Sequence, residues 1–138
     1  MNTIVSTRTI YITESDMRRL RPLIDGMKNS RDDLRGLQAE LLQARVVAPK
    51  DVPADVITMN SKARLQDLDT GEEVIYTLVF PNQSNIEQGK ISVVAPIGTA
   101  MLGHRVGDDF EWEVPAGSVR LRVDKVLYQP EAAGHYHL

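Results

Sequence analysis

Ile91-Ser92-Val93-Val94-Ala95-Pro96-Ile97-Gly98-Thr99-Ala100-Met101-Leu102-Gly103-His104-Arg105-Val106-Gly107-Asp108 is the stretch from which the rest of the chain can be read. Ile91, Val93 and Val94 form a short apolar run that suits a buried strand. Pro96 lacks a backbone donor and so ends that strand. Its fixed φ also suits the first turn of a helix. Ile97, Ala100 and Met101 recur at helical spacing, and Gly103 reads as a C-terminal stop. Gly107-Asp108 is a turn signal into a further strand. Strand, short helix, turn, strand is a piece of an α+β domain, and the order alone assigns no function.

On either side of this stretch the apolar period is two. Candidate strands are Ile57–Leu68, Val74–Phe80, Ile91–Val94, Phe110–Val114 and Val119–Tyr128. Asp69-Thr70-Gly71-Glu72 joins the first pair as a hairpin turn. Phe110, Trp112 and Val114 alternate with Glu111 and Glu113, and Val119, Leu121 and Val123 with Arg120 and Arg122. These two strands should pair antiparallel, apolar side chains inward and Glu facing Arg in water, with Trp112 in the core. The period slips at Asp124-Lys125, which predicts a bulge. The polar tail from Gln129 reads as surface. The expectation is one curved antiparallel sheet crossed by one short helix, an α+β fold.

Upstream the period changes to 3.6. Residues 1–12 read as an extended lead-in. Thr13 reads as an N-cap with Asp16 three residues on, and Glu14 suits the first turn. Met17, Leu20, Ile24 and Met27 form one apolar seam, interrupted by Pro22, where the helix should kink or restart. Lys28-Asn29-Ser30 has turn character, and Ser30 with Asp33 repeats the cap pattern. Leu34, Leu37, Leu41 and Ala44 form a second seam. Two such arms predict an antiparallel αα-hairpin of short coiled-coil type over residues 1–47. Each arm is about 15 residues, so roughly 22 Å long, and too short to stand without the following domain or a partner. Residues 48–55, with Pro49 and Pro53, read as a linker, and 56–138 as the C-terminal domain.

Composition narrows the function classes. The 138 residues carry a net charge of −3 and no cysteine, which excludes disulfides and thiolate chemistry. Residues 13–47 hold seven basic and six acidic side chains, whereas residues 48–138 hold eight and thirteen. Neither part has the basic excess needed to neutralise many phosphates, so strong direct nucleic-acid binding is not expected. An acidic domain suits a basic protein surface instead. No apolar run approaches a bilayer helix and no signal peptide is evident, so a cytoplasmic protein without membrane contact is expected.

The spelling of the 91–108 stretch resembles the C-terminal signature of the bacterial Gre transcript-cleavage factors, the GreA/GreB family. Ser92, Pro96, Ile97, Gly98, Met101, Leu102, Gly107 and Asp108 match it over 17 residues, with Ala95 where the family usually has Ser. Pro49, Val52-Pro53, Asp55–Ser61 and Gln129–Gly134 are similar to the Rnk branch of that family, the regulators of nucleoside diphosphate kinase, whose N-terminal hairpin is shortened. The resemblance implies an FKBP-like C-terminal domain that binds RNA polymerase at the rim of the secondary channel. Ser92, Ala95, Pro96, Ile97 and Gly98 sit where the family's polymerase-facing loop lies. Pro96 and Gly98 also have a purely structural reading, as shapers of the strand-to-helix turn.

Gre factors use two acids at the hairpin tip to help hold a catalytic Mg²⁺, because a hard cation takes carboxylate oxygens. Asp32 and Asp33 lie at the bend here. The favoured reading makes them first-turn acids of the second helix, since arms of this length stop short of the active centre. The expected protein occupies the Gre site, competes with Gre factors and does not stimulate cleavage. The alternatives are a cleavage-stimulating elongation factor using Asp32 and Asp33, a regulator of nucleoside diphosphate kinase, and an FKBP-type prolyl isomerase. Isomerase sites are aromatic-lined, whereas this chain is 5% aromatic, so no enzyme, catalytic residue or cofactor is expected. His135 and His137 lack a third ligand of clear spacing, so no metal site is expected, and His104 beside Arg105 reads as a surface turn residue.

Overall fold

The computed structural model describes residues 10–27, 38–39, 41–114 and 117–134, with backbone alone at 27 and 112–114. Chain order begins with strand β1 (Tyr11–Ile12), helix α1 (Glu14–Met27) and strand β2 (Arg45–Val46). Strands β3 (Lys62–Asp67), β4 (Glu73–Val79) and β5 (Lys90–Ser92) follow. The helix Pro96–Met101 then leads to β6 (Asp109–Val114), β7 (Gly117–Tyr128) and a final helical turn, Pro130–Ala133. The result is a mixed α+β fold.

Thr13 caps α1 as its sequence predicts: its Oγ1 accepts the Asp16 backbone N–H at 3.2 Å, and its carbonyl accepts that of Met17 at 2.9 Å. Thr13→Ala should lower the unfolding free energy by about 1 kcal/mol, measured by urea denaturation. α1 runs unbroken through Pro22, whose exposed ring faces away from the core. The opposite stripe carries the burial, with Leu20 and Ile24 fully inaccessible. Gln38, Ala39, Leu41 and Leu42 are helical, Leu41 is buried, and Gln38 Nε2 donates to Asp25 Oδ1 at 2.6 Å. The returning segment therefore lies beside α1 at that point. β1 and β2 pair in parallel, Tyr11 with Arg45 and Ile12 with Val46. Ser30, Asp32, Asp33, Leu34 and Leu37 lie outside the described residues.

The large sheet has the order β5-β4-β3-β7-β6. Contrary to the expectation from the strand pattern, it is not wholly antiparallel. β5 pairs with β4 in parallel, Thr77 with Lys90 and Val79 with Ser92. A parallel neighbour needs a crossover, and the chain makes one through two 3₁₀ turns, Pro81–Gln83 and Ile86–Gln88. The first long strand also starts later than its apolar run suggests. Asn60 adopts φ +67°, a left-handed conformation that no strand continues through, so Ile57–Ser61 is a buried turn and the ladder begins at Lys62.

The β6–β7 hairpin follows the alternation closely. Glu111 stands opposite Arg120 and Asp109 opposite Arg122. Arg122 donates to Asp109 at 2.7 Å, holding that carboxyl below its ordinary pKa. Both groups are half exposed, so the pair adds little stability. The register against β3 slips between Arg64 and Leu65, the bulge expected at Asp124-Lys125, and again between Lys62 and Ala63.

One apolar cluster joins both parts of the chain. Ile10, Ile12, Leu20, Ile24 and Leu41 pack with Ile57, Met59, Leu65, Leu78, Phe80, Met101, Leu121 and Val123. The Arg19 guanidinium also lies 3.8 Å above the Phe80 ring centre. α1 thus rests on the sheet domain through its buried apolar stripe.

Candidate functional site

The strand-to-helix corner at Ser92–Gly98 is built by its own backbone. Ser92 ends β5, its Oγ accepts the Val94 N–H at 3.2 Å, and its carbonyl accepts that of Ala95 at 3.0 Å. Ala95 is extended at φ −72°, ψ 151°, and its carbonyl takes the Thr99 N–H at 2.8 Å as the helix opens. Pro96 fills the first helical position, where no donor is needed. The Thr99 hydroxyl returns to the Val93 carbonyl at 2.8 Å, pinning the helix to the strand end.

Gly98 sets how close the two come. A Cβ placed there would lie 2.0 Å from the Ser92 carbonyl oxygen. The corner is therefore tight, and it divides the sequence-singled residues in two. Gly98 is buried and unavailable to a partner, while Pro96 is exposed and Ser92, Ala95 and Ile97 are part-exposed. Ile97 also packs against the core cluster. From Ile91 to Gly103 there is no charged side chain. Contact through this corner would be apolar and shape-based, and the long-range field would come from acids elsewhere on the domain.

The flank of the corner holds one residue read differently from sequence, His104, beside Arg105. His104 is not a surface residue. It is 4% exposed, stacks on Phe110 with ring centres 4.6 Å apart, and its Nδ1 lies 2.6 Å from the Ala100 carbonyl. Its position after the Gly103 stop turns it back under the helix, which composition does not encode. Arg105 is the exposed neighbour and grips Asp55 through two hydrogen bonds of 3.2 and 3.0 Å.

The tail is buried where it begins, at Gln129, Pro130 and Glu131, and exposed as expected at Ala132–Gly134. Gln129 Nε2 donates to the carbonyls of Pro53 and Val56, each at 2.7 Å, and Gln129 Oε1 accepts the Ala132 N–H at 3.2 Å. Glu131 is buried and accepts the Thr58 hydroxyl at 2.7 Å; that hydroxyl lies 2.9 Å from Ser61 Oγ. Gln-Pro-Glu is the spelling of a capped, proline-led helix start, which was the available signal.

Asp32, Asp33, His135 and His137 lie outside the described residues, as does the side chain of Trp112. Among the described residues no group of three His, Cys, Asp or Glu side chains could hold a metal ion. No described helix is long and apolar enough to cross a membrane.

A mixed sheet with a proline-led helix closed on the end of an edge strand is the arrangement of a known class of transcription factors. Residues 52–128 match the C-terminal domain of the GreA/GreB transcription elongation factors, and the chain belongs to that family. Residues 8–47 match the Rnk N-terminus. The regulator of nucleoside diphosphate kinase from Escherichia coli strain K12 is 40% identical over 136 residues, spanning 97% of this chain and 100% of that protein. Transcription elongation factor GreA from Syntrophotalea carbinolica is 34% identical over 108 residues, 75% of this chain and 68% of its own length. A solved GreA/GreB elongation factor from Nitrosomonas europaea is 39% identical, with a TM-score of 0.76 over 87% of this chain and 98% of that one. These relatives are named as a regulator and as transcription factors.

Proposed function

We propose that this chain is a transcription regulator that docks on RNA polymerase at the rim of the secondary channel through Ala95, Pro96 and Ile97, with Ser92 at the edge of the contact. In this reading it competes with Gre factors and does not stimulate RNA cleavage. The domain of residues 56–138, FKBP-like in form, is the docking body; residues 1–47 form the hairpin and 48–55 join them. The observation that carries the reading is the corner itself: an uncharged apolar tip, held rigid by Gly98 against Ser92, in a GreA/GreB domain. Preorganised apolar tips bind with little ordering cost.

Reach supports the absence of cleavage. α1 has 14 residues, so it spans about 21 Å, and its inner stripe is committed to the sheet domain. Asp32 and Asp33 would then stop short of the polymerase active centre. Co-purification with core RNA polymerase, competed by a Gre factor, tests the docking. A transcript-cleavage assay on stalled complexes tests the rest: cleavage abolished by Asp32→Ala and Asp33→Ala would replace this reading with that of a cleavage factor.

The name of the Escherichia coli relative favours one other reading, regulation of nucleoside diphosphate kinase. A pull-down that retains the kinase and lacks polymerase would select it. Prolyl isomerase activity on a model peptide is expected to stay at background.

A further inference from the structure

The end of α1 that meets the sheet domain carries a buried acid with no purpose in the docking corner. Asp16 is 1% exposed, and its Oδ1 has no hydrogen-bond partner among the described residues. A buried carboxylate oxygen without a donor is costly when charged and far less so when protonated. The groups around it do not supply a counter-ion in contact. From the Pro130–Ala133 turn comes Glu131, itself buried and of like charge, engaged with the Thr58 hydroxyl at 2.7 Å. That Thr58 hydroxyl also lies 2.9 Å from Ser61 Oγ, so Glu131 is held from the Ile57–Ser61 turn. On α1 itself, Thr13 lends its hydroxyl oxygen to the Asp16 backbone N–H, and Glu14 pairs with Arg18 on the exposed side at 3.4 Å. Among the described residues Arg19 is the one opposing charge, and it is held over the Phe80 ring.

We propose that Asp16 is a proton-operated latch on the seat of α1. With the proton on, the N-terminal turn of α1 stays clamped beside Glu131 of the C-terminal helical turn. With the proton off, two buried carboxylates repel across that seam and the clamp slackens. The direction of its titration agrees: burial first, and Glu131 second, push the Asp16 carboxyl up to about 6, while Arg19 and the Thr13 hydroxyl pull it down. Because the seated value lies above the unseated one of 3.8, the latch is fully closed below about pH 4. It slackens as pH rises towards 6 and loosens little further above that. The latch is a property of this chain alone, so it stands or falls separately from polymerase docking.

The test is native-state hydrogen exchange of the α1 amides on the full chain at pH 5 and pH 8, corrected for intrinsic exchange rates. Wild-type opening should be about tenfold more frequent at pH 8, whereas Asp16→Asn should show no pH dependence. Glu131→Gln keeps an acceptor for Thr58 and removes the like charge, so it should show a smaller dependence than wild type. Equal pH dependence in wild type and Asp16→Asn overturns the latch. Should Asp16→Asn not fold, a Glu131→Gln dependence as large as wild type overturns it.

Discussion

Gly98→Ala should destabilise the domain by about 3 kcal/mol or more, the upper range for overpacking a rigid site. The new methyl would lie 2.0 Å from the Ser92 carbonyl oxygen and 3.1 Å from the Val93 Cα. Both obstacles are backbone, so no side chain can swing away. Relief requires the Pro96–Met101 helix to lift off β5, which would expose Met101 and break the Thr99 bond to Val93. A urea titration followed by circular dichroism measures the loss. Gly26→Ala is the control: it lies in helix α1 with open space at its Cβ position, and should stabilise by about 0.5–1 kcal/mol. A Gly98→Ala protein as stable as wild type would mean that the corner is looser than drawn, and the docking reading would lose its rigid tip.

Pro96→Asp should cut polymerase affinity by tenfold or more while leaving the fold intact. Pro96 is exposed at the first helical position, and an acid there is favoured by the helix dipole. Stability should therefore move by less than about 0.5 kcal/mol. Binding is another matter, because the tip is uncharged throughout and a buried carboxylate at its centre would be unpaired. Competition binding against a Gre factor on core polymerase, with a parallel melt of the free protein, separates the two effects. Full affinity in a folded Pro96→Asp protein would move the contact away from this corner.

Much of the sheet domain was legible because alternation and turn chemistry act locally. The β6–β7 pairing, the slip at Asp124, the Thr13 cap and the proline-led helix each follow from a few adjacent residues. What failed to show was set by distant partners. A three-residue strand carries no mark of direction, so β5 gives no sign that it runs parallel to β4. Ile57–Ser61 reads as strand because it is apolar and buried; only the left-handed Asn60 shows that the burial belongs to a turn. His104 and Gln129 look like surface residues until Phe110, Pro53 and Val56 come up against them. For the docking corner, spelling pointed to the place, but only the geometry divides Gly98, which shapes it, from Pro96, which it presents.

The sheet's strand order also sets when the protein can fold. β7, the last strand to be made, lies between β3 and β6 rather than at an edge. β3 begins at Lys62 and its ladder with β7 runs to Tyr128, so the pairing at the sheet's centre spans about half the chain. On the ribosome, β5, β4 and β3 can form only a three-stranded sheet, open along β3, until β7 clears the exit tunnel. α1 emerges long before the surface it rests on exists. Translation speed across the final third of the message, and chaperone cover for the waiting helix, should therefore govern yield more than any single side chain does.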